Sequence, residues 1–205
     1  KNYKTIWRKI TMTNIKQSTV QIQLAKTKSD VNFKDQPNPK TEFFYEERVI
    51  PKVFITAEAA STMRLYIESV DEEIGWLGTT SRDEKNNIIT IHQVFLFDQE
   101  VSGVTTEITA EGLSNFATEL LQRPDGTEIW NSMKMWGHSH VNMPVTPSGQ
   151  DDKQMQEFKE TKHDYFVRLI GNKKGDLNVD VYDYAKGLTF KKVPTFLIPS
   201  FNEES

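Results

Sequence analysis

Two histidines in the second half of the chain have the residue type and spacing of a metal site. The segment from Trp136 to Asp151 reads WGHSHVNMPVTPSGQD and contains His138 and His140 two positions apart. In an extended strand, side chains two residues apart lie on the same face, separated by about 6.5 to 7 Å. Two imidazoles at that separation can converge on one ion, such as zinc at about 2.0 to 2.1 Å from each nitrogen.

An aspartate follows these histidines after a loop that contains two prolines. The prolines in residues 141–147 turn the chain back, and Ser148 then has the residue type of a helix N-cap. Asp151, Met155 and Phe158 share one face of the predicted helix, and we expect that face to pack toward the strand that carries the histidines. A carboxylate in such an interface requires a partner, and a cation shared with the two histidines would be one.

The same residues have simpler interpretations. Ser148 followed by Asp151 is also the pattern of a capping box, in which the two side chains only satisfy helix N–H groups. A single histidine such as His138 is more often an ordinary core or surface residue. The combination of His-x-His, a seven-residue turn, Ser and Asp indicates a metal site more specifically than any of these parts alone. The spacing by itself still leaves open both the metal site and the simple helix cap.

Composition narrows the possible chemistry. The chain has 205 residues, of which 37% are hydrophobic and 26% charged, as in an ordinary globular domain. It contains no cysteine, which excludes disulfides, thiol nucleophiles and any cysteine-ligated metal. The net charge is −4, and residues 1–50 carry 10 Lys and Arg against 5 Asp and Glu. Because this excess is modest, we predict a solvated surface rather than a nucleic-acid partner.

The sequence lacks the apolar segments that membrane insertion or export requires. No run of about 18 apolar residues is present, and the first residues, KNYKTIWRKI, do not resemble a secretory signal. We therefore expect a soluble, cytoplasmic protein without a membrane partner.

Hydrophobic periodicity predicts a mixed α/β (α+β) domain. Helical spacing of apolar residues predicts helices over 56–70, 110–122 and 148–160. Strands are predicted at 20–24, 43–54, 88–97 and 133–140, with a turn over 81–87 and hairpins over 165–192 that turn at 172–175. This order indicates a curved sheet flanked by helices. Residues 1–50 are predicted to be an N-terminal extension, and residues 51–205 the domain itself.

On four of these residues the chain resembles a known family. His138, His140, Ser148 and Asp151 match the His-x-His-x7-Ser-x2-Asp signature of the JAMM metallopeptidases, the catalytically competent branch of the MPN domains. The resemblance covers about residues 53–192 and looks closest to prokaryotic or phage-type members. It implies an MPN-like curved mixed sheet, a Zn²⁺ ion held by the two histidines and the aspartate, a water as fourth ligand, and a serine that helps stabilise the oxyanion.

The family also has a glutamate at the end of its first helix, in a Glu-x-x-Gly/small-Leu context. Two registers fit this chain: alignment on Leu77 selects Glu73 as the general base, and alignment on Gly75 selects Glu72. We favour Glu73, although this register puts Trp76 where the family commonly has a small residue.

The resemblance implies a function. It predicts a zinc-dependent isopeptidase or peptidase that hydrolyses an amide bond and releases a ubiquitin-like modifier, or a related C-terminal tail, from a protein substrate. One alternative is a non-catalytic MPN-type scaffold in a protein complex, although such members usually lose one or more ligand positions that are intact here. A second alternative is a zinc hydrolase of a small-molecule amide.

Overall fold

The computed structural model describes residues 22–24, 50–102, 105–107 and 109–199 of the chain, and the elements below lie within them. The strands are β1 (Ile22–Leu24), β2 (Lys52–Thr56), β3 (Gly75–Asp83), β4 (Ile88–Phe95), β5 (Glu100–Ser102), β6 (Thr105–Glu107), β7 (Met133–Ser139), β8 (Tyr165–Gly171), β9 (Leu177–Asp183), β10 (Leu188–Phe190) and β11 (Thr195–Ile198). The helices are α1 (Ala57–Ser69), α2 (Ala110–Leu121), α3 (Gly126–Asn131) and α4 (Gly149–Glu160).

Nine of the strands form one mixed sheet in the order β1-β10-β9-β8-β7-β3-β4-β2-β11, while β5 and β6 form a separate hairpin. Strand β7 lies in the interior of this sheet, antiparallel to β3 and parallel to β8. Strands β8 and β9 form the predicted hairpin, and β4 lies between β3 and β2, as its apolar sequence indicates. The predicted α+β architecture, a mixed sheet with helices against it, is confirmed at this level.

Helices cover both faces of the sheet. On one face, the buried side of α1 packs against a cluster that includes Val167 and Leu169 of β8. The opposite face carries Trp136 and Phe166, which pack with residues from the other helices. Those helix residues are Leu120 of α2, Ile129 of α3 and Met155 of α4. Strand β8 is buried along its whole length, as expected for a strand covered on both faces.

The three helices predicted from periodicity are present to within one or two residues. Each begins after a hydroxyl residue whose side chain accepts a hydrogen bond from the first turn: Thr56 before α1, Thr109 before α2 and Ser148 before α4. These caps satisfy N–H groups that have no partner within the helix. None of the helices among the described residues has the length and apolar character needed to cross a bilayer.

The predicted turn over 81–87 was too long. Strand β3 continues to Asp83, which pairs with Ile88 of β4, so only residues 84–87 turn. The polar residues of this strand end misled the prediction, because the backbone remains paired there. Ser81 and Asp83 are exposed, but Arg82 pairs with the buried carboxylate of Asp183 at 2.7 Å. Helix α3 and strands β5, β6 and β11 were not predicted at all. Predictions for Val20 and for the segment 43–49 lie outside the described residues.

Candidate metal centre

The carboxyl end of β7 carries both histidines of the motif. His138 lies within the strand and His140 directly follows it, and both side chains are buried. The backbone N–H of His140 donates a hydrogen bond to the carbonyl of Gly171, at the end of β8, so pairing between the strands continues through the motif. The Nε2 atoms of the two imidazoles are 3.1 Å apart. The histidines therefore converge on one point, as the alternating geometry of a strand predicts.

Asp151 reaches the same point from the first turn of α4. Its Oδ1 atom lies 3.2 Å from Nε2 of His138, and its Oδ2 atom lies 3.9 Å from Nε2 of His140. Nitrogen and oxygen ligands about 2.0 to 2.2 Å from one tetrahedral ion are separated from each other by roughly 3.3 to 3.5 Å. The separations of 3.1 and 3.2 Å lie close to this value and that of 3.9 Å is longer, so the three side chains are near enough to share one ion. We call them the metal triad.

The capping box and the metal triad share Asp151. The backbone N–H of Ser148 donates to Oδ2 of Asp151 at 2.6 Å, and the backbone N–H of Asp151 donates to Oγ of Ser148 at 3.2 Å. Oδ1 faces His138, while Oδ2 caps the helix and is also the oxygen that lies 3.9 Å from His140. The two interpretations left open by the sequence are therefore compatible in the structure.

The charge states of His138 and Asp151 favour cation binding. Burial lowers the pKa of His138 and keeps its imidazole neutral at neutral pH, which is the form that binds metals. Burial alone would raise the pKa of Asp151, but hydrogen bonds with His138 and Ser148 outweigh it and hold the pKa well below the usual range. One carboxylate and neutral imidazoles are the ligands expected for zinc.

Contacts outside the triad fix the orientation of the two rings. Nδ1 of His140 donates to the carbonyl of Pro144 at 2.7 Å, so in the neutral ring the lone pair of Nε2 faces the triad. The ring of His138 stacks on Trp136, with centroids 4.6 Å apart. Its buried Nδ1 has no hydrogen-bond partner within the described part of the chain. Stacking therefore orients His138, whereas a hydrogen bond orients His140.

Burial separates the two candidate glutamates, of which the sequence favours Glu73. Glu73 is 6% exposed and lines the same cavity as the metal triad, whereas Glu72 is exposed. Burial raises the pKa of the Glu73 carboxyl, and the neighbouring negative charge of Asp151 adds to the rise, while His140 opposes it. Of the two candidates, only Glu73 lines the cavity onto which the metal triad opens.

Ser139, between the two histidines, holds the backbone around Glu73. Its Oγ accepts a hydrogen bond from the N–H of Ile74 at 3.1 Å, and its own N–H donates to the carbonyl of Ile74 at 2.9 Å. These bonds connect the segment that carries the glutamate to the strand that carries the histidines. This role was not predicted, because the position of Ser139 in the motif gives no sign of its partner.

The metal triad opens into a cavity of about 400 Å³. Its wall includes Ser148, whose Oγ already accepts the N–H of Asp151 and whose hydroxyl hydrogen remains available to a bound molecule. The other wall residues are Trp136, Met143, Pro144, Thr146, Gln150 and Gln154. Gln150 and Gln154, both on α4, were not among the predicted site residues. Met143 is 44% exposed, so the cavity has an apolar side chain at its mouth.

Gly137, next to His138, must be a glycine because its neighbour on β3 packs directly against it. A Cβ atom on Gly137 would lie 2.3 Å from Nε1 of Trp76, the fully buried residue opposite it on β3. We expect Gly137→Ala to lower the free energy of unfolding by about 1 to 3 kcal/mol, as overpacking in a core does. Urea denaturation measures this change. Gly149→Ala is the control, since its Cβ would have no atom within 4 Å, and equal stability of both variants would contradict the prediction.

The fold and the site together define a mixed α+β protein with a candidate mononuclear metal centre of two histidines and one aspartate. No family model matches the chain, and no curated protein matches it. Among solved structures, the chain is similar to the solution structure of protein DSY2949 from Desulfitobacterium hafniense. The TM-score is 0.52 at 14% sequence identity, and the alignment covers 74% of this chain and 97% of that chain. This similarity supports the fold alone.

Proposed function

We propose that this protein is a zinc-dependent peptidase or isopeptidase of the JAMM type, with an MPN-like arrangement of its sheet. The observation that carries the proposal is the convergence of His138, His140 and Asp151 in a cavity that Glu73 also lines. Three protein ligands that leave one position for water or substrate are typical of catalytic zinc, whereas structural zinc has four protein ligands. The metal triad is the only group of this kind found among the described residues.

The proposed mechanism assigns a role to each residue around the triad. When bound, zinc acts as a Lewis acid and lowers the pKa of a coordinated water to about 7. Glu73 accepts the proton of the attacking water and passes it to the leaving amine. Ser148 donates its hydroxyl hydrogen to the oxyanion of the tetrahedral intermediate. No covalent intermediate with the protein is formed.

The proposed substrate is a protein that carries a ubiquitin-like modifier or a related C-terminal tail. This part of the proposal comes from the resemblance of the motif to the JAMM family. A second candidate is a small-molecule amide, and the volume of the cavity favours it, since about 400 Å³ lies within the range of small-molecule sites, roughly 300 to 1,000 Å³.

A cleavage assay tests the proposal and separates its candidates. Zinc-loaded protein is incubated with a ubiquitin conjugate linked through a lysine, with a linear fusion of a ubiquitin-like protein to a short peptide, and with an N-acetyl amino-acid amide. Mass spectrometry identifies the products. We expect hydrolysis of a conjugate or fusion that stops when a chelator removes zinc. If only the small amide is cleaved, a small-molecule amide replaces the modified protein as the proposed substrate. If the zinc-loaded protein hydrolyses none of the probes, the non-catalytic scaffold is favoured.

Replacing Ser148 tests the proposed oxyanion contact. We expect Ser148→Ala to lower kcat by roughly 100- to 1,000-fold, because removal of one oxyanion donor costs about 2.7 to 4 kcal/mol in other hydrolases. The variant keeps all three metal ligands, so its zinc content should not change. Loss of the helix cap should cost about 1 kcal/mol in stability, which thermal unfolding detects. An unchanged kcat would show that the serine only caps α4.

A further inference from the structure

A fully buried arginine connects the sheet to the helix that carries Asp151. Arg168 lies on β8, directly beside Trp136 of β7, and its side chain is 0% exposed. One end of its guanidinium group, Nη2, donates to Oδ2 of Asp180 on β9 at 2.6 Å. The other end, Nη1, donates to Oδ1 of Asp152 at 2.7 Å. The guanidinium group therefore bridges two strands of the sheet and the first turn of α4.

Asp152 is the residue next to the metal ligand. It follows Asp151 in the first turn of α4, and its side chain is 61% exposed, whereas that of Asp180 is 1% exposed. Asp180 is fixed in turn, because its Oδ1 accepts the backbone N–H of Lys192 at 2.8 Å. The ion pair with Asp180 thus anchors Arg168 in the sheet, and the ion pair with Asp152 connects Arg168 to helix α4.

Stability alone is a poor explanation for such a bridge. Burial of a charged pair costs desolvation energy, and apolar residues of similar volume often stabilise a protein as well or better. The guanidinium group does provide what apolar packing lacks, since its planar fork fixes the direction and distance of both carboxylates. The metal triad requires its one helical ligand, Asp151, to keep a fixed distance from the two histidines at the end of β7. The guanidinium group of Arg168 lies where it can fix that distance.

We propose that Arg168 is a positioning residue of the metal centre. By holding Asp152 against Asp180, it sets the distance between the first turn of α4 and the strands, and so the place of Asp151 relative to His138. The inference rests on the proposed function, because it assumes that the triad binds zinc. It adds to that function a residue that contacts neither the metal nor the substrate but determines how tightly the metal is held.

The test measures zinc affinity in variants that keep all three ligands. Asp152→Ala removes the helix end of the bridge, and Arg168→Lys keeps the charge but removes the fork. The control is Asp164→Ala, since the side chain of Asp164 is 50% exposed and bonds a cation on β7, Lys134, at 2.6 Å. Each protein is freed of metal and titrated with zinc in competition with a fluorescent chelator. Its cobalt(II) absorption spectrum then reports the geometry of the ligands.

We expect Asp152→Ala and Arg168→Lys to bind zinc about 10- to 100-fold more weakly than the parent, as loss of a residue that orients a ligand usually does. Their cobalt spectra should change, while Asp164→Ala matches the parent in both measurements. Zinc affinities and spectra equal to those of the parent in both variants would overturn the inference and leave the proposed function intact. A parent protein that binds no zinc would overturn both.

Discussion

Replacement of Glu73 by glutamine is expected to reduce amide hydrolysis by about 100- to 10,000-fold, the range usually assigned to a general base. Glutamine has nearly the same shape, and Glu73 is not a proposed ligand, so the variant should keep its fold and its zinc. Affinity for the substrate should also survive, because the change affects proton transfer rather than binding. Steady-state kinetics on the conjugate cleaved by the parent, together with the zinc content, measure these effects.

The neighbouring glutamate provides a matched control for this variant. Glu72→Gln makes the same chemical change one position earlier, but its side chain is exposed and does not line the cavity. We expect it to retain the activity of the parent. If Glu72→Gln were the inactive variant, the register chosen for the base would be wrong, and if both variants were fully active, the protein would have no glutamate base of the proposed kind.

Substitution of Asp151 by asparagine should remove most of the bound zinc. The change eliminates the only anionic ligand of the metal triad, so the loss should exceed the roughly 10- to 100-fold caused by removal of an outer partner of a ligand. An asparagine side-chain oxygen can still accept the N–H of Ser148, so the N-terminal cap of α4 is largely kept. Zinc titration of the metal-free protein measures the affinity, and circular dichroism verifies the fold.

Ser148→Ala serves as the control for the double role of Asp151. It weakens the same helix cap but leaves all three ligands in place, so we expect it to bind zinc as the parent does. Equal zinc affinities of Asp151→Asn and the parent would show that the aspartate is a capping residue alone. The metal would then need another anionic ligand, and the proposed site would have to be abandoned.

The metal triad could be predicted from the sequence because each of its parts is a local pattern. Two residues apart on a strand, His138 and His140 share a face whatever the rest of the fold does. Ser148 and Asp151 define the start of a helix by their own hydrogen bonds, and the short loop before them limits how far that helix can lie from the strand. These constraints brought the three residues close together in the prediction, and the match to the JAMM signature then implied that they hold one metal ion.

The sequence favoured Glu73 over Glu72 without excluding either register. Both residues fit a plausible register, and no local pattern indicates which of two adjacent side chains turns inward. The hydrogen bonds between Ser139 and the backbone at Ile74 fix this segment, and they connect positions 65 residues apart in the chain. Such a contact exists only after β3 and β7 have paired.

Long-range contacts also explain what the sequence analysis missed in the fold. Strand β11 pairs with β2, so its partner lies more than a hundred residues earlier in the chain. Arg168, a single charge in the otherwise apolar segment YFVRLIG, gave no indication of its partners Asp152 and Asp180. In both cases, the structural role of a short segment depends on partners that are distant in the sequence and come together only in the folded sheet.

The zinc content of the purified protein tests the central claim most directly. Protein prepared without chelators is analysed by plasma mass spectrometry, and the metal-free form is then titrated with zinc. We predict about one zinc ion per chain, bound by His138, His140 and Asp151, with full recovery on titration. Protein that contains no zinc as purified and takes up none on reconstitution would contradict the account.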